Sequence, residues 1–339
     1  MKSSVVILNW NGEKLLEQFL PSVIANTPAE IAEIVVADNG STDNSRSLLK
    51  EKFPAVKLIF LDKNYGFAGG YNKAIEFVDS EYVVLLNSDV EVTPDWIEAP
   101  LKILDNEANI AAVQPKVLSQ RNKDFFEYAG AAGGFMDKYG YPFCRGRIFS
   151  EVEKDTGQYD TETDILWATG ACLFIRTEVY KKEGGLDANF FAHQEEIDMC
   201  RRLRSRGYRI VYTPQSVVYH VGGATLTVEN PHKTFLNFRN NLLMLYKNLS
   251  DKELKPVMRV RYWFDRIAAL QFFIAGHPKN ATAVFRARRE FKHLKESYLE
   301  IRKTNLEKTV CHPIPEILQK SLLLQFYVKG KKRFSEINF

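Results

Sequence analysis

Asn87-Ser88-Asp89 closes an apolar run, Val83-Val84-Leu85-Leu86, and an alternating tail, Val90-Glu91-Val92, follows it. A carboxylate so placed can hold a divalent cation against a diphosphate. Asp89 is the one carboxylate of the triplet, so further ligands must come from diphosphate oxygens, water or a distant side chain. His220 is a candidate: it ends Val217-Val218-Tyr219 and precedes Gly222-Gly223. A mixed nitrogen and oxygen set suits Mn2+ as well as Mg2+. A solvated turn and a structural histidine would account for the same residues.

Three further groups carry chemistry. Asp38, at the head of Asp38-Asn39-Gly40-Ser41-Thr42-Asp43, can accept a hydrogen bond from a base NH or a ribose hydroxyl. It can also cap the next helix, as can Ser41 or Asp43. The glycine-rich Asn64-Tyr65-Gly66-Phe67-Ala68-Gly69-Gly70-Tyr71-Asn72 allows backbone to approach a phosphate at a helix N-terminus. Gly66-x-x-Gly69 is not the dinucleotide fingerprint, which would follow the first strand. A tight strand-to-helix turn explains it too. Glu195, Glu196 and Asp198 crowd one helix start. Acids there suit the helix dipole. Alternatively, one is a general base whose proton affinity is raised by burial and its neighbours.

These groups need elements to position them. Val5–Leu8, Ile34–Ala37, Val56–Phe60 and Val83–Leu86 read as strands, the apolar runs being those of strands buried on both faces. Helices are expected over about 13–25, through Leu48 and Leu49, from the 64–72 loop onward, and over about 95–105. The alternation predicts an α/β fold with a doubly wound, mostly parallel sheet. Ligands in such sheets bind beyond the carboxyl ends of the strands. Asn9–Asn11, Asp38–Asp43, Asn64–Asn72 and Asn87–Asp89 then share one edge. A strand is expected around Ala111–Val113. Residues 119–165 read as a long excursion over the site. Leu166–Ile175 resumes as a strand, and Ile210–Tyr212 and Val217–His220 as two short ones. From Pro231 the pattern is helical.

The 339 residues hold one large domain or two ordinary ones. No signal peptide is expected, and no uncharged apolar run approaches the roughly 18 residues of a membrane span. The four cysteines lack metal or disulfide spacing, so a cytoplasmic setting is expected. Charge is uneven. Residues 1–230 carry 24 Lys+Arg and 33 Asp+Glu, a net of −9; residues 231–339 carry 22 and 9, a net of +13. An acidic body, 1–230, and a basic helical extension, 231–339, follow as the domain reading. The extension should face something anionic. No nucleic-acid motif is present, so nucleic acid is not expected as a partner.

Taken in order, the motifs carry a resemblance. The chain resembles the inverting family 2 glycosyltransferases of GT-A fold, in particular their bacterial rhamnosyltransferase-like branch. The resemblance rests on Val6–Gly12, Asp38–Asp43, Asn64–Asn72, Leu86–Asp89, Thr169-Gly170-Ala171, Glu195–Asp198 and Val218–His220, across about 1–225. It implies a sugar, rhamnose among the candidates, moved from a nucleotide-diphospho-sugar to a glycan or lipid-linked glycan hydroxyl in bacterial cell-surface polysaccharide synthesis. It implies that Asp38 binds the base, and that Asn9, Asn11, Asn39, Asn64, Gly66, Gly69, Asn72 and Asn87 surround the donor. Asp89 and His220 would hold Mg2+ or Mn2+. Glu196 falls at the catalytic-base position, with Trp167, Gly170, Glu195 and Asp198 toward the acceptor. Two departures stand out: Asn87 replaces an aspartate of Asp-x-Asp, and Glu196 replaces the usual aspartate, so Glu195 or Asp198 remain alternative bases.

Two rivals are a sugar nucleotidyltransferase and a non-catalytic carbohydrate- or nucleotide-binding protein. The first would carry a glycine-rich loop with Arg and Lys after the first strand, where Asn9-Trp10-Asn11-Gly12 stands. The second has no need of Asp38, Asp89 and Glu196 together. A lipid-linked acceptor would bring the protein to the inner face of the cytoplasmic membrane, with residues 231–339 against the anionic leaflet.

Overall fold

The computed structural model describes residues 2–222 and 230–339; Gly223, named above with Gly222, lies outside them. The first half alternates as expected: β1 (Ser3–Asn9), α1 (Glu13–Ala25), β2 (Ala32–Asp38), α2 (Ser45–Lys52), β3 (Lys57–Phe60), α3 (Gly66–Ile75) and β4 (Tyr82–Asn87). β4, β1, β2 and β3 lie side by side, all parallel. Register sets Asn9 against Asp38 and Asn87 against Leu8, so the polar strand ends meet at one edge.

Beyond β4 the sheet becomes mixed. β5 (Val90–Val92), α4 (Glu98–Asn106) and β6 (Ile110–Ser119) come next. The expected excursion is a second, small sheet. It holds β7 (Gly134–Asp137), β8 (Pro142–Cys144), β9 (Arg147–Ile148) and β10 (Glu151–Val152). β11 (Thr163–Asp164) returns to the main sheet, and β12 (Cys172–Arg176) inserts antiparallel between β4 and β6. The strand expected over 166–175 is thus confined to its second half. Residues 166–171 are a buried connection instead, with Trp167 bridging to Gly134. After α5 (Thr177–Lys182) and α6 (Glu195–Ser205), the two short strands expected near 210 and 217 are one, β13 (Arg209–His220). It pairs parallel to β6, with a register shift between Thr213 and Val217.

The C-terminal region is helical, as expected: α7 (Pro231–Asn248), α8 (Asp251–Ile274), α9 (Pro278–Leu294) and α10 (Leu299–Glu307). Asn230 caps α7 ahead of Pro231, and Ser250 with Glu253 forms a capping box on α8. The acidic body and the basic helical extension pack against each other. Leu242, Leu243, Met244 and Leu245 of α7 belong to one core with Val6, Leu85 and Trp167 of the body. A late strand, β14 (Ile317–Leu318), pairs with β7 and completes the small sheet. Charge differs between the halves because it sits on the surface; apolar burial continues through both. The opposite sheet face carries a second core beneath α1, α2 and α4.

Leu243 has no exposed surface. Leu243→Ala should cost about 2–5 kcal/mol, the range for a buried leucine truncation. Urea unfolding followed by far-UV circular dichroism and by Trp fluorescence should give one coincident transition, shifted as a whole.

Candidate active site

The donor edge forms at the ends of β1, β2 and β4. Asn9 is buried, and its Nδ2 donates to Asp38 Oδ1 at 3.3 Å and Ser41 Oγ at 3.2 Å. Asn11 has a positive φ of 51°, which turns its Oδ1 to accept from the Thr42 amide at 2.8 Å. The loops after β1 and β2 are thereby latched together. Asp38 Oδ2 accepts from the Ser41 amide at 3.2 Å and from Arg46 Nε at 2.6 Å. Arg46 was not read from the sequence; it is the second residue of α2, beyond the loop that follows β2. Asp38 has no exposed surface, whereas the Arg46 side chain is 41% exposed.

The glycine-rich stretch opens α3. Its first helical amides do not await a phosphate: Phe67 N and Ala68 N donate to Phe191 O at 2.7 and 3.2 Å. Gly66 is needed for close approach of that neighbour, since a Cβ would stand 2.5 Å from the Phe191 ring. Gly69 is tight against Tyr65 for the same packing reason. Asn39 and Asn64 hold the turn. Asn39 Nδ2 donates to Asn64 Oδ1 and Gly66 O, and its Oδ1 accepts from Tyr65 N. Asn72 is a brace between α3 and the turn before Leu186, bonding Leu186 through both N and O and accepting from the Tyr180 hydroxyl.

Asp89 and His220, 131 positions apart, are brought together by strand pairing. β5 runs antiparallel to β13, with Val90 opposite His220. His220 Nε2 lies 3.1 Å from Asp89 Oδ1, and Asn87 Nδ2 is 3.5 Å from the same nitrogen. On the other side of the ring, Nδ1 is 3.5 Å from Glu127 Oε2. Glu127 has no motif around it, and only folding of the excursion brings it here. Burial alone would lower the His220 pKa, but the two carboxylates outweigh it and push the imidazole up to about 10. Burial would raise Asp89; the bond to His220 outweighs this and holds its carboxyl below the usual range. The donor set fits a divalent cation in part. Among the described residues no cluster of three or more His, Cys, Asp or Glu forms a cage. A cation here would take Asp89 and deprotonated His220 and need its remaining ligands from diphosphate and water.

The acid cluster sits at the end of a strained loop. Phe191, His193 and Gln194 have φ of 65°, 69° and 72°, rare for residues with side chains. α7 supports this backbone: Asn240 Nδ2 lies within 2.8–3.0 Å of the carbonyls of Phe190, Ala192 and His193. Asn241 donates to Gln194 Oε1 at 3.0 Å. α6 then starts with Glu195 and Glu196, each with a buried Oε2 that has no hydrogen-bond partner among the described residues. Burial raises both carboxyls, Glu196 to about 7, and the neighbouring Glu196 charge pushes Glu195 further. Glu196 is half-buried, and its Cβ lies about 4.0 Å from where a Cβ on Gly170 would stand. Gly170 precedes Ala171, whose carbonyl accepts from the Asn87 amide at 3.0 Å. Glu196 and the Asn87 strand end thus flank one short segment. His193, also unsingled in the sequence, is half-buried, its buried Nε2 has no partner among the described residues, and desolvation holds its imidazole down at about 4.

Two residues expected toward the acceptor, Asp198 and Trp167, are buried. Asp198 is fully buried and accepts from Lys247 at 3.0 Å, Arg202 at 3.1 Å and Asn248 at 2.8 Å. Burial would raise its pKa, but the two cations outweigh this and lower it. It is a structural anion, unsuited to take a proton. Trp167 is buried, donates to Phe135 O at 2.8 Å and packs on Gly134, inside the core rather than at the site.

The family described as glycosyl transferase family 2 matches residues 4–184, more than half of the chain. The chain belongs to glycosyltransferase family 2. This family 2 chain is 27% identical over 235 residues to the N-acetylglucosaminyl-diphospho-decaprenol L-rhamnosyltransferase of Mycobacterium tuberculosis, covering 64% of this chain and 75% of that one. It is 21% identical to the rhamnosyltransferase WbbL of Escherichia coli, over 78% of this chain and 98% of that one. Among solved structures, GalNAc-T7 with UDP, GalNAc and Mn2+ aligns with a TM-score of 0.61 at 16% identity, over 93% of this chain and 58% of that one. The mannosyltransferase PcManGT of Pyrobaculum calidifontis, with GDP-Man and Mn2+, gives 0.52 at 16% identity, over 91% and 84%. The fold is GT-A, as the resemblance implied.

Asn240 is a positioning residue for the acid loop. Asn240→Ala should lower stability by about 1–3 kcal/mol, since it leaves buried carbonyls unpaired. It should also lower kcat for sugar transfer on the order of 10²-fold through misplacement of the acids. Calorimetric affinity for nucleoside diphosphate should be unchanged, which separates the loop from the donor edge.

Proposed function

We propose that the protein is an inverting, metal-dependent glycosyltransferase acting on a nucleotide-diphospho-sugar. The acceptor is a hydroxyl of a glycan or lipid-linked glycan in cell-surface polysaccharide synthesis. The observation that carries the reading is Glu196: a half-buried carboxyl with a free oxygen and raised proton affinity, beside Gly170 and the Asn87 strand end. Such a group is suited to general base work near neutral pH.

In this mechanism Glu196 takes the proton of the acceptor hydroxyl as its oxygen attacks the anomeric carbon. The bond to the diphosphate breaks on the opposite face, and the electron pair leaves with the diphosphate. Inversion follows from this single displacement, through a transition state of oxocarbenium character. Asp89 Oδ1 and His220 Nε2 would hold a divalent cation, Mg2+ or Mn2+, which neutralises the leaving charge when bound. Glu127 orients the His220 ring from behind, as carboxylates do for metal-binding histidines. Asn87 contacts sugar or phosphate, and Asp38 receives the base. The solved neighbours with UDP or GDP-Man support a nucleotide-sugar donor. The name of the mycobacterial relative supports rhamnose as the sugar and a lipid-linked acceptor. An acceptor of that kind would place the work at the inner face of the cytoplasmic membrane, with residues 231–339 toward the anionic leaflet.

Asp89→Ala should abolish Mn2+-dependent binding of nucleoside diphosphate in isothermal titration and leave the circular dichroism spectrum intact. Full cation-dependent binding by the folded variant would sink the assignment.

Glu196→Gln should keep donor binding and lower transfer by about 10²–10⁴-fold. The base works deprotonated, so the wild-type rate should fall as pH drops below about 7 and level off above it. A flat profile from pH 5 to 8, with transfer retained in Glu196→Gln, would assign the proton to another group.

A further inference from the structure

α8 is amphipathic the wrong way round for a helix that only packs on its own protein. Its buried face, at four-residue spacing, is Val257, Arg261, Asp265 and Ala269. Arg261 and Asp265 form a buried ion pair at 3.1 Å, which Arg288 of α9 joins. The opposite face carries Trp263, Ile267, Leu270 and Ile274, again at helical spacing, with Phe273 on the flank. Those five side chains are between 58% and 76% exposed. A soluble surface seldom leaves so much contiguous apolar area in water without an occupant.

Charge says which occupant. Beside the stripe lies a groove of about 270 Å³ between α8 and α9, lined by Tyr262, Arg266, Phe285, Arg288, Arg289 and Lys292. Arg266 stacks on Tyr262 at 3.3 Å, and Arg289 and Lys292 are exposed. Four cations and two aromatic rings therefore border the apolar stripe, and no acid lines the groove. A second copy of the chain docking on this face would bring two cationic rims together. An anionic lipid surface satisfies both parts at once: acyl chains receive the stripe, and headgroup phosphates receive the rim. The central Trp263 suits the interface between the two.

We propose that the exposed face of α8, with the α8–α9 groove, is an interfacial docking surface for a bilayer containing anionic phospholipid. The proposal deepens the membrane reading of residues 231–339 and is independent of the transfer chemistry. It names side chains that enter the acyl boundary, where charge alone would not place them.

The test uses the full chain with vesicles of phosphatidylcholine alone and of phosphatidylcholine with about a third phosphatidylglycerol. Two variants accompany it: a stripe variant, Ile267→Ser with Leu270→Ser, and a rim variant, Arg289→Glu with Lys292→Glu. All four positions are exposed, so both variants should fold. Co-sedimentation should favour anionic vesicles, and each variant should weaken it at least roughly tenfold. Brominated acyl chains should quench wild-type Trp fluorescence, and Trp263→Phe should remove that quenching. Nucleoside diphosphate affinity, measured in parallel, should be unchanged in every variant. Binding that the rim variant weakens but the stripe variant does not, with no quenching, would overturn insertion and leave an electrostatic contact. No vesicle binding, with a dimer in sedimentation velocity that the stripe variant dissociates, would assign the face to a second copy and overturn the proposal.

Discussion

One buried ammonium fixes the catalytic side of this protein. Lys247 of α7 lies 2.7 Å from Asp187 and 3.0 Å from Asp198, with almost no exposed surface. Those two carboxylates bracket the stretch that contains the strained loop and the acid pair. A single side chain thus clamps both ends of the segment carrying Glu196, and Asn240 holds its middle. Removing one partner from such a buried network costs on the order of 3–5 kcal/mol, because the remaining charges stay desolvated. The left-handed conformations of Phe191, His193 and Gln194 cost of order 1–3 kcal/mol each. Strain of that size persists only where the surroundings over-determine it, and here α7 does so.

The same constraint explains what the sequence could and could not announce. β1, β2 and β4 were legible because their apolar runs are local and end abruptly in Asn9, Asp38 and Asn87. The edge on which those residues meet followed from parallel pairing alone. His220 was legible as a strand end, yet its distance to Asp89 depends on the β5–β13 register, which no local pattern encodes. Glu127 and Arg46 carried no signal, since each acquires its meaning from a neighbour supplied by another element.

The errors of local reading share a cause. Asn72, Gly66 and Gly69 occupy a loop whose composition suits a phosphate, but Phe191, 125 residues after Gly66, fills the helix end first. Asp198 is chemically equivalent to its neighbours Glu195 and Glu196 in sequence. What separates them is Lys247 and Arg202, which lower the Asp198 carboxyl, whereas burial raises those of Glu195 and Glu196. Burial raises or lowers a carboxyl according to what is buried with it. The boundary at residue 230 marks a change in surface charge; apolar burial runs across it, and α7 carries Lys247 into the interior as well.

α7 also joins the two functional faces. Asn241 donates to Gln194, the residue immediately before the acid pair, while its Oδ1 accepts from Arg261 of α8. Arg261 in turn donates to Tyr139 O, and Asn241 to Gly140 O, in the excursion. Arg261 is thus two positions before Trp263, on the buried face of the helix whose outer face is proposed to dock on lipid. Two hydrogen bonds therefore link the helix that would set the height of the molecule above a bilayer to the start of the helix that carries Glu196. Asn241, Arg261 and Gln194 are all buried, so one interior polar path braces the proposed docking helix against the loop before the acid pair.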